Sequence, residues 1–436
     1  MESVRYLVQR LRGSLFVIPT GIVALCLVAA GVARYLDREV AAVADVPVLF
    51  SVSLSGGRSV ATAVAGATIT VAAIVFSITA LSSQIAASQY SPRAVAGFFE
   101  DRFQQVVIGL VVGTFAYSLI VLAGLAGVAD SDETLRRSVS VTLAVGLGIG
   151  SGIGIVAYID HSLRRMRVGA VVRRIAEATV AAVRSQPHKA QEGVALDGRA
   201  EHEGKPIHVR ARRMGWVRAI DASGLARALP PGALARVEVR VGELVAPGDL
   251  LATVWLGDEP RNVERTVHRA VYTGRTRSVN GDPAFGIRQL VDIALRALSP
   301  GVNDPTTAVD VIQHLKVPLR EILAAEPPLR VHSGASRQRV FLPEAPSRSD
   351  HVHAAFAEIR LAATGQPVVL RAIVDVAADL VADLEEDDLA GRGGALVTEA
   401  RLAVEAAVNA GLPESDLAGL LSTASRLGLP EEDSET

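Results

Sequence analysis

The densest group of residues that could do chemistry runs from Gly274-Arg275-Thr276 to Thr307. Arg288, Asp292 and Arg296 recur at i, i+4 and i+8, so on a helix they stand in one row. Asn303-Asp304-Pro305 reads as an N-cap followed by proline at the first helical position. Three kinds of chemistry fit this corner. A structural network of salt bridges and caps is the first. Recognition of a small anionic ligand is the second, with Arg275, Arg288, Asp292, Arg296, Asn303 and Asp304 as its candidate residues. Two arginines in the row outweigh Asp292, and the guanidinium fork matches carboxylate or phosphate. A hydrolytic site is the third, and it requires a nucleophile with its base, or carboxylates grouped with histidine around a metal. His314 is the one histidine close by, and His351-Val352-His353 supplies two metal ligands at most. No P-loop, dinucleotide fingerprint, HExxH or GxSxG is present. No catalytic residue, metal site or cofactor is assigned, and the weight falls on a non-enzymatic protein.

A second polar pattern lies in an apolar setting. Thr70, Ser77, Gln84 and Ser88 share one helical face, and Arg93 follows them after Ser91-Pro92. As a stripe they could line a water-filled path with Arg93 near its mouth. The alternative is hydrogen bonding between packed helices, where Ser, Thr and Gln are common. A third pattern is glycine. Gly146, Gly150 and Gly154 form one small-xxx-small row and Gly148 with Gly152 another, on nearly opposite sides of a helix. They point to close helix packing, with a gating hinge as the other reading.

The elements that hold the last two patterns are membrane spans. Four apolar runs cover about 15–32, 59–81, 106–128 and 139–159, inside a transmembrane domain of residues 1–163. Each approaches the roughly 20 residues needed to cross about 30 Å of hydrocarbon. The second continues in helical pattern to Tyr90, where Pro92 disfavours helix. From Ser59 to Tyr90 it reaches roughly 48 Å at 1.5 Å per residue, longer than the hydrocarbon. No charge lies in the apolar part of any span, so no proton relay is indicated.

Loop charges set the orientation. Arg5, Arg10 and Arg12 precede the first span, Arg93 and Arg102 follow the second, and Arg164, Arg165, Arg167, Arg173 and Arg174 follow the fourth. The other loops carry Arg34, Arg38, Arg58, Arg136 and Arg137. The bias favours both termini in the cytoplasm. Cleavage of the first span as a signal peptide after Gly31-Val32-Ala33 is the alternative. Cys26 is the single cysteine, so no intrachain disulfide can form. Net charge is −2, which supplies no basic field for nucleic acid.

The remaining chain reads as a cytoplasmic α+β domain. Residues 164–205 give an amphipathic helix from Arg164 to Arg184 and then a polar linker. Residues 206–258 are β-rich and read as a small barrel-like unit. Val241 to Leu251 resembles the hairpin of biotinyl and lipoyl carriers, yet no lysine for attachment lies between 206 and 258. Residues 259–430 read as helical. Helices are expected over Phe285–Leu298, Pro305–Leu315, Val352–Ala363, Val368–Leu384 and Leu396–Ala410, as a bundle on the 285–315 corner.

Two runs carry a family resemblance. One is Phe76-Ser77-Ile78 through Ser91-Pro92-Arg93. The other is Phe285-Gly286-Ile287-Arg288-Gln289-Leu290-Val291-Asp292-Ile293-Ala294 with Arg296-Ala297-Leu298-Ser299-Pro300-Gly301-Val302-Asn303-Asp304-Pro305. Together they resemble the bacterial predicted membrane proteins grouped as domain of unknown function 2254. The resemblance implies a four-span protein of the bacterial inner membrane with a cytoplasmic domain, and it carries no activity. The expected function is a channel-like or transport protein whose second span lines the path and whose cytoplasmic domain gates or senses. Its partners are the lipid bilayer, further copies of itself in a homo-oligomer and a small anionic ligand, not nucleic acid. The alternative is a membrane-anchored receptor or scaffold that binds an anionic ligand or a protein.

Overall fold

The computed structural model describes residues 17–40, 51–89, 102–126, 136–165, 167–186, 205–256, 262–384, 389–411 and 413–428. Arg5, Arg10, Arg12, Arg93, most of the expected linker and the acidic run 385–388 lie outside them. The chain divides into two compact units, residues 1–167 and 168–436.

The first unit holds four long helices: α1 (Val17–Val40), α2 (Leu54–Gln89), α3 (Arg102–Ala126) and α4 (Val139–Arg165). All four are long and apolar enough to cross a membrane. Helix is the form such runs must take in lipid, because every backbone N–H and C=O then bonds within its own segment. At 36 residues, α2 is about 54 Å long.

The hub is α3. In its apolar window 44% of residues are buried, against 17–22% in the other three. Gly109 and Gly113 let α1 approach. A Cβ at Gly109 would stand 2.9 Å from Pro19 Cα, and one at Gly113 would stand 2.8 Å from Cys26 Sγ. Neither leaves room for a side chain. This GxxxG pair brings two backbones together, the packing that substitutes for a hydrophobic drive in lipid.

Polar side chains then join the helices across the bundle. The Thr79 hydroxyl lies 2.7 Å from Tyr158 Oη, and Gln104 Nε2 donates to Thr79 Oγ1 at 3.2 Å. Thr114 Oγ1 and Ser151 Oγ are 3.0 Å apart, and Tyr117 Oη donates to the Ser140 carbonyl at 3.0 Å. Two charges hold helix ends. Asp37, on the last turns of α1, accepts from Val139 N at 2.6 Å and Ser140 N at 3.2 Å, so it caps the positive end of α4. Arg58, on α2, donates through Nη2 to the Leu125 carbonyl at 2.8 Å, at the negative end of α3. Short strands β1 (Ser51–Val52) and β2 (Arg136–Arg137) pair antiparallel beside α2 and α4.

The second unit begins with α5 (Val168–Ser185). Its strands are β3 (Lys205–Arg210), β4 (Gly215–Ile220), β5 (Leu234–Val237), β6 (Leu244–Val245), β7 (Leu250–Leu256), β8 (Val271–Gly274), β9 (Val331–Ser333) and β10 (Arg339–Phe341). The expected barrel-like unit is not found. Among the described residues the strands form two open sheets, ordered β3-β7-β5-β10-β9 and β6-β4-β8. The larger sheet recruits β9 and β10 from beyond residue 330, and β10 runs parallel to β5. Both sheets and the short helices α6 (Ala222–Ala228) and α7 (Val263–Ala270) share one core that includes Val217, Leu225, Val254, Val267 and Val340.

The helical part comprises α5 with α8 (Pro283–Ala297), α9 (Pro305–Ala324), α10 (Arg348–Ala362), α11 (Pro367–Ala382), α12 (Gly394–Asn409) and α13 (Glu414–Ser425). The amphipathic α5 buries Val171, Val172, Ile175 and Val183 and packs on α8 and α9. The closest approach is at Gly286, where an added Cβ would overlap Thr179 of α5. Helix α9 runs nine residues past the expected Leu315. The buried Pro318 stays inside it, because a proline removes a single backbone donor and the flanking side chains are tied down. Lys316 bonds Asp379 at 2.5 Å, and Arg320 Nη2 lies 2.6 Å from Asp383, both on the α11 side.

If Gly113 sets the α1–α3 spacing, Gly113→Leu forces the helices apart, with a loss of about 1–3 kcal/mol, typical of overpacking. Thermal unfolding in detergent, followed by circular dichroism, is the check. An unchanged midpoint contradicts the close approach.

Candidate functional site

The two polar patterns lie in different units. On α2 the buried face is Ala61, Ala65, Thr68, Ala72 and Val75. Thr70, Ser77 and Gln84 lie on the opposite face, exposed. They belong to a longer seam: Ser59, Thr62, Gly66, Thr70, Ala73, Ser77, Ala80 and Gln84 recur at spacings of three and four, and all are exposed. Every seam residue but Gln84 is small. Large side chains flank it instead, among them Phe76 at 55% exposure and Leu81 at 57%. Thr70 and Ser77 donate their hydroxyl protons to the Gly66 and Ala73 carbonyls, each at 2.9 Å. This back-bonding satisfies the donor and leaves oxygen lone pairs facing outward. Ser88 lies near the end of the same helix, and Arg93 lies outside the described residues.

The glycines of α4 divide. Gly148 meets Val64 of α2 and Gly154 meets Leu110 and Val107 of α3, whereas Gly146, Gly150 and Gly152 face open space. The row Gly146, Gly150 and Gly154 therefore touches a neighbouring helix at one of its three positions.

In the second unit, Asp282 starts α8 by accepting from Phe285 N at 3.1 Å. Arg277 holds that carboxylate with Nε at 2.6 Å and stacks 5.0 Å from the Phe285 ring. Along α8, Arg288 reaches Asp292 with Nε at 2.7 Å and Glu358 on α10 with Nη1. Burial opposes the Arg288 charge, and the bonds from Glu358 and Asp292 more than offset it, so its pKa is raised. Arg296 stands exposed at the end of α8. Asn303 holds φ 47°, a left-handed conformation, and its Oδ1 accepts from Gln366 Nε2 at 3.3 Å. Asp304 caps α9: Oδ1 accepts from Thr307 N at 3.0 Å and Oδ2 from Thr307 Oγ1 at 2.6 Å. The Thr307 hydroxyl and backbone hold the Asp304 carboxyl below its usual range. Arg275 follows β8 and is exposed, and among the described residues no hydrogen bond or ion pair ties it to the corner. The structure thus brings Arg288, Asp292 and Glu358 together and uses Asp304 as a cap.

The histidines do not converge. His314 bonds its own helix at Asp310 O, 2.8 Å, and His353 reaches Glu399 on α12 at 2.7 Å. His351 is buried, and desolvation lowers its pKa. Among the described residues no three His, Cys, Asp or Glu side chains group as a metal would require. Folding does make one pair that spacing hides: Ser223 Oγ lies 3.0 Å from His332 Nδ1. Burial lowers the His332 pKa, with Leu329 and Asp221 opposing. The residues that sequence reading missed are chiefly Gly109, Gly113, Asp37 and Glu358. The Gly109-Leu110-Val111-Val112-Gly113 spacing was the available signal for the first two.

Four apolar helices and a separate α+β unit define a multi-span membrane protein. The chain belongs to the family described as predicted membrane protein (DUF2254), whose model matches residues 12–379. It is 28% identical over 377 residues to uncharacterized protein Rv1290c of Mycobacterium tuberculosis, covering 84% of this chain and 71% of that one. Uncharacterized protein Mb1321c of Mycobacterium bovis matches at the same identity and coverage. No solved structure matches the chain.

The cap at Asp304 gives a substitution test. Its carboxyl is depressed, so the stabilisation is present above the unfolded carboxylate pKa and is lost as pH falls through the lowered value. Asp304→Ala should lower stability by about 0.5–2 kcal/mol near neutral pH, while Asp304→Asn, itself a good N-cap, should change it little. Denaturant unfolding of the two variants checks this. Equal losses contradict the capping role.

Proposed function

We propose that the protein is a channel-like or transport protein of the bacterial plasma membrane. Several copies assemble with the outward seams of their second spans around a common axis. The observation that carries this reading is the seam itself. A single bundle buries α3 at its centre and leaves the small and polar face of α2 outside. In lipid such a face gains little, because hydrocarbon offers hydroxyls no partner, whereas facing copies bring small residues close and supply polar contacts. Around an axis, Thr70, Ser77 and Gln84 fall at heptad intervals, so polar rings repeat about every 10 Å. Gly66, Ala73 and Ala80 keep the path open between them. The seam carries no charge, so passage rests on width and hydroxyl or amide contacts rather than on a fixed-charge ring. In this reading both termini face the cytoplasm, as the loop arginines favour, and the second unit is the gating or sensing part.

The test is solute or ion flux through proteoliposomes, with oligomeric mass measured in nanodiscs. Ser77→Leu and Gln84→Leu should block flux. Wild-type flux in both variants removes the stripe as the path, and a monomer removes the axis.

A further inference from the structure

The smaller sheet of the second unit has one face turned to the core and one left open. Val217 and Val245 point inward, each 1% exposed. Strand alternation then puts Met214, Trp216 and Leu244 on the other face. Register agrees, since Trp216 pairs with Leu244 on one side and with Gly274 on the other. Met214 is 72% exposed, more than any other large hydrophobic residue among those described, and Leu244 is 49% exposed. Trp216 is partly exposed. Solvated single hydrophobics are ordinary, but three neighbours on one sheet face form a patch that water disfavours.

Arginines adjoin the patch along the chain, and Arg218 shares its face. Arg212 and Arg213 precede Met214, Arg218 lies across Gly274, and Arg275 follows it. Arg212 is engaged with Glu264 at 2.9 Å. Arg213, Arg218 and Arg275 make no ion pair among the described residues. On the acidic side, Glu243 borders Leu244 and accepts from Arg240 N at 2.9 Å. The face therefore presents an apolar centre containing tryptophan, with a cationic rim.

We propose that this face docks on the anionic phospholipid headgroup surface of the membrane in which the protein resides. Met214 and Leu244 enter the interfacial layer, Trp216 lies at headgroup level, and Arg213, Arg218 and Arg275 meet lipid phosphates. The side-chain types match that layer. Tryptophan is enriched where one end of a ring meets hydrocarbon and the other meets water. Arginine binds phosphate with a bidentate fork. The four spans supply the rest of the argument, because they tether the unit to the bilayer. A face too weak to bind vesicles as a free protein then works at a high effective concentration. This inference is independent of any path along α2.

The full-length chain tests it directly, since Cys26 is its single cysteine. On a Cys26→Ala background, Met214→Cys carries an environment-sensitive fluorophore. Val317→Cys, at 49% exposure on α9, is the control position. Nanodiscs are made with phosphatidylglycerol or with phosphatidylcholine alone, and acrylamide is the water-soluble quencher. With phosphatidylglycerol, the label at 214 should show blue-shifted emission and loss of quenching relative to 317. Both effects should vanish in phosphatidylcholine and at 1 M salt, where the Debye length is about 3 Å. Arg213→Glu with Arg275→Glu should abolish them in the anionic lipid. Quenching at 214 equal to that at 317 in both lipids overturns the proposal. Equal protection in both lipids, insensitive to salt, also overturns it, since the face is then covered by protein. Leu244→Cys repeats the reading where a label at 214 disturbs the fold.

Discussion

The arrangement of the membrane helices depends on how closely α1 can approach α3. A Cβ at Gly109 would collide with the α1 backbone at Pro19, and one at Gly113 with the Cys26 side chain. Lipid tails are as apolar as leucine, so close contact and internal hydrogen bonds must do what the hydrophobic effect does in water. With α1 drawn in, Asp37 reaches the first turn of α4, and its carboxylate meets two backbone donors that lipid would leave unsatisfied. Arg58 does the complementary work at the end of α3. One acid and one base thus hold two helix junctions, α1 to α4 and α2 to α3, near the same end of the bundle.

That constraint decides what α2 can offer. Its alanine and threonine face is used against α3, so the seam from Ser59 to Gln84 is what remains outside. Thr79 and Thr114 bond back to their own helices and also reach across to Tyr158 and Ser151. Thr70 and Ser77 bond back to α2 from its exposed face. The first pair helps to fix the bundle, and the second faces outward.

The sequence made the four spans legible because each is a long run of apolar residues with few competing interpretations. It made α8 and the start of α9 legible through periodicity and the Asp304-Pro305 cap. Long-range pairing was less accessible. The β9 and β10 strands are three residues each, and β10 pairs in parallel with a strand about a hundred residues earlier, so no local pattern announces the five-stranded sheet. The same limit applies at the corner. The row of Arg288, Asp292 and Arg296 could be read from spacing, but Glu358, which takes the other side of the Arg288 guanidinium, lies 70 residues away. The fourth span carries the more conspicuous glycine pattern, yet α1 packs against Gly109 and Gly113 of α3.

The central claim is that the α2 seam faces further copies of the chain. Single cysteines placed one at a time from Gly66 to Gln84, on a Cys26→Ala background, test it most directly by cross-linking in native membranes. The account predicts cross-linked dimers at positions 66, 70, 73, 77, 80 and 84 and weak or absent cross-linking at 69, 74, 76 and 81. Cross-linking strongest at Phe76 and Leu81, or none at any position, contradicts it.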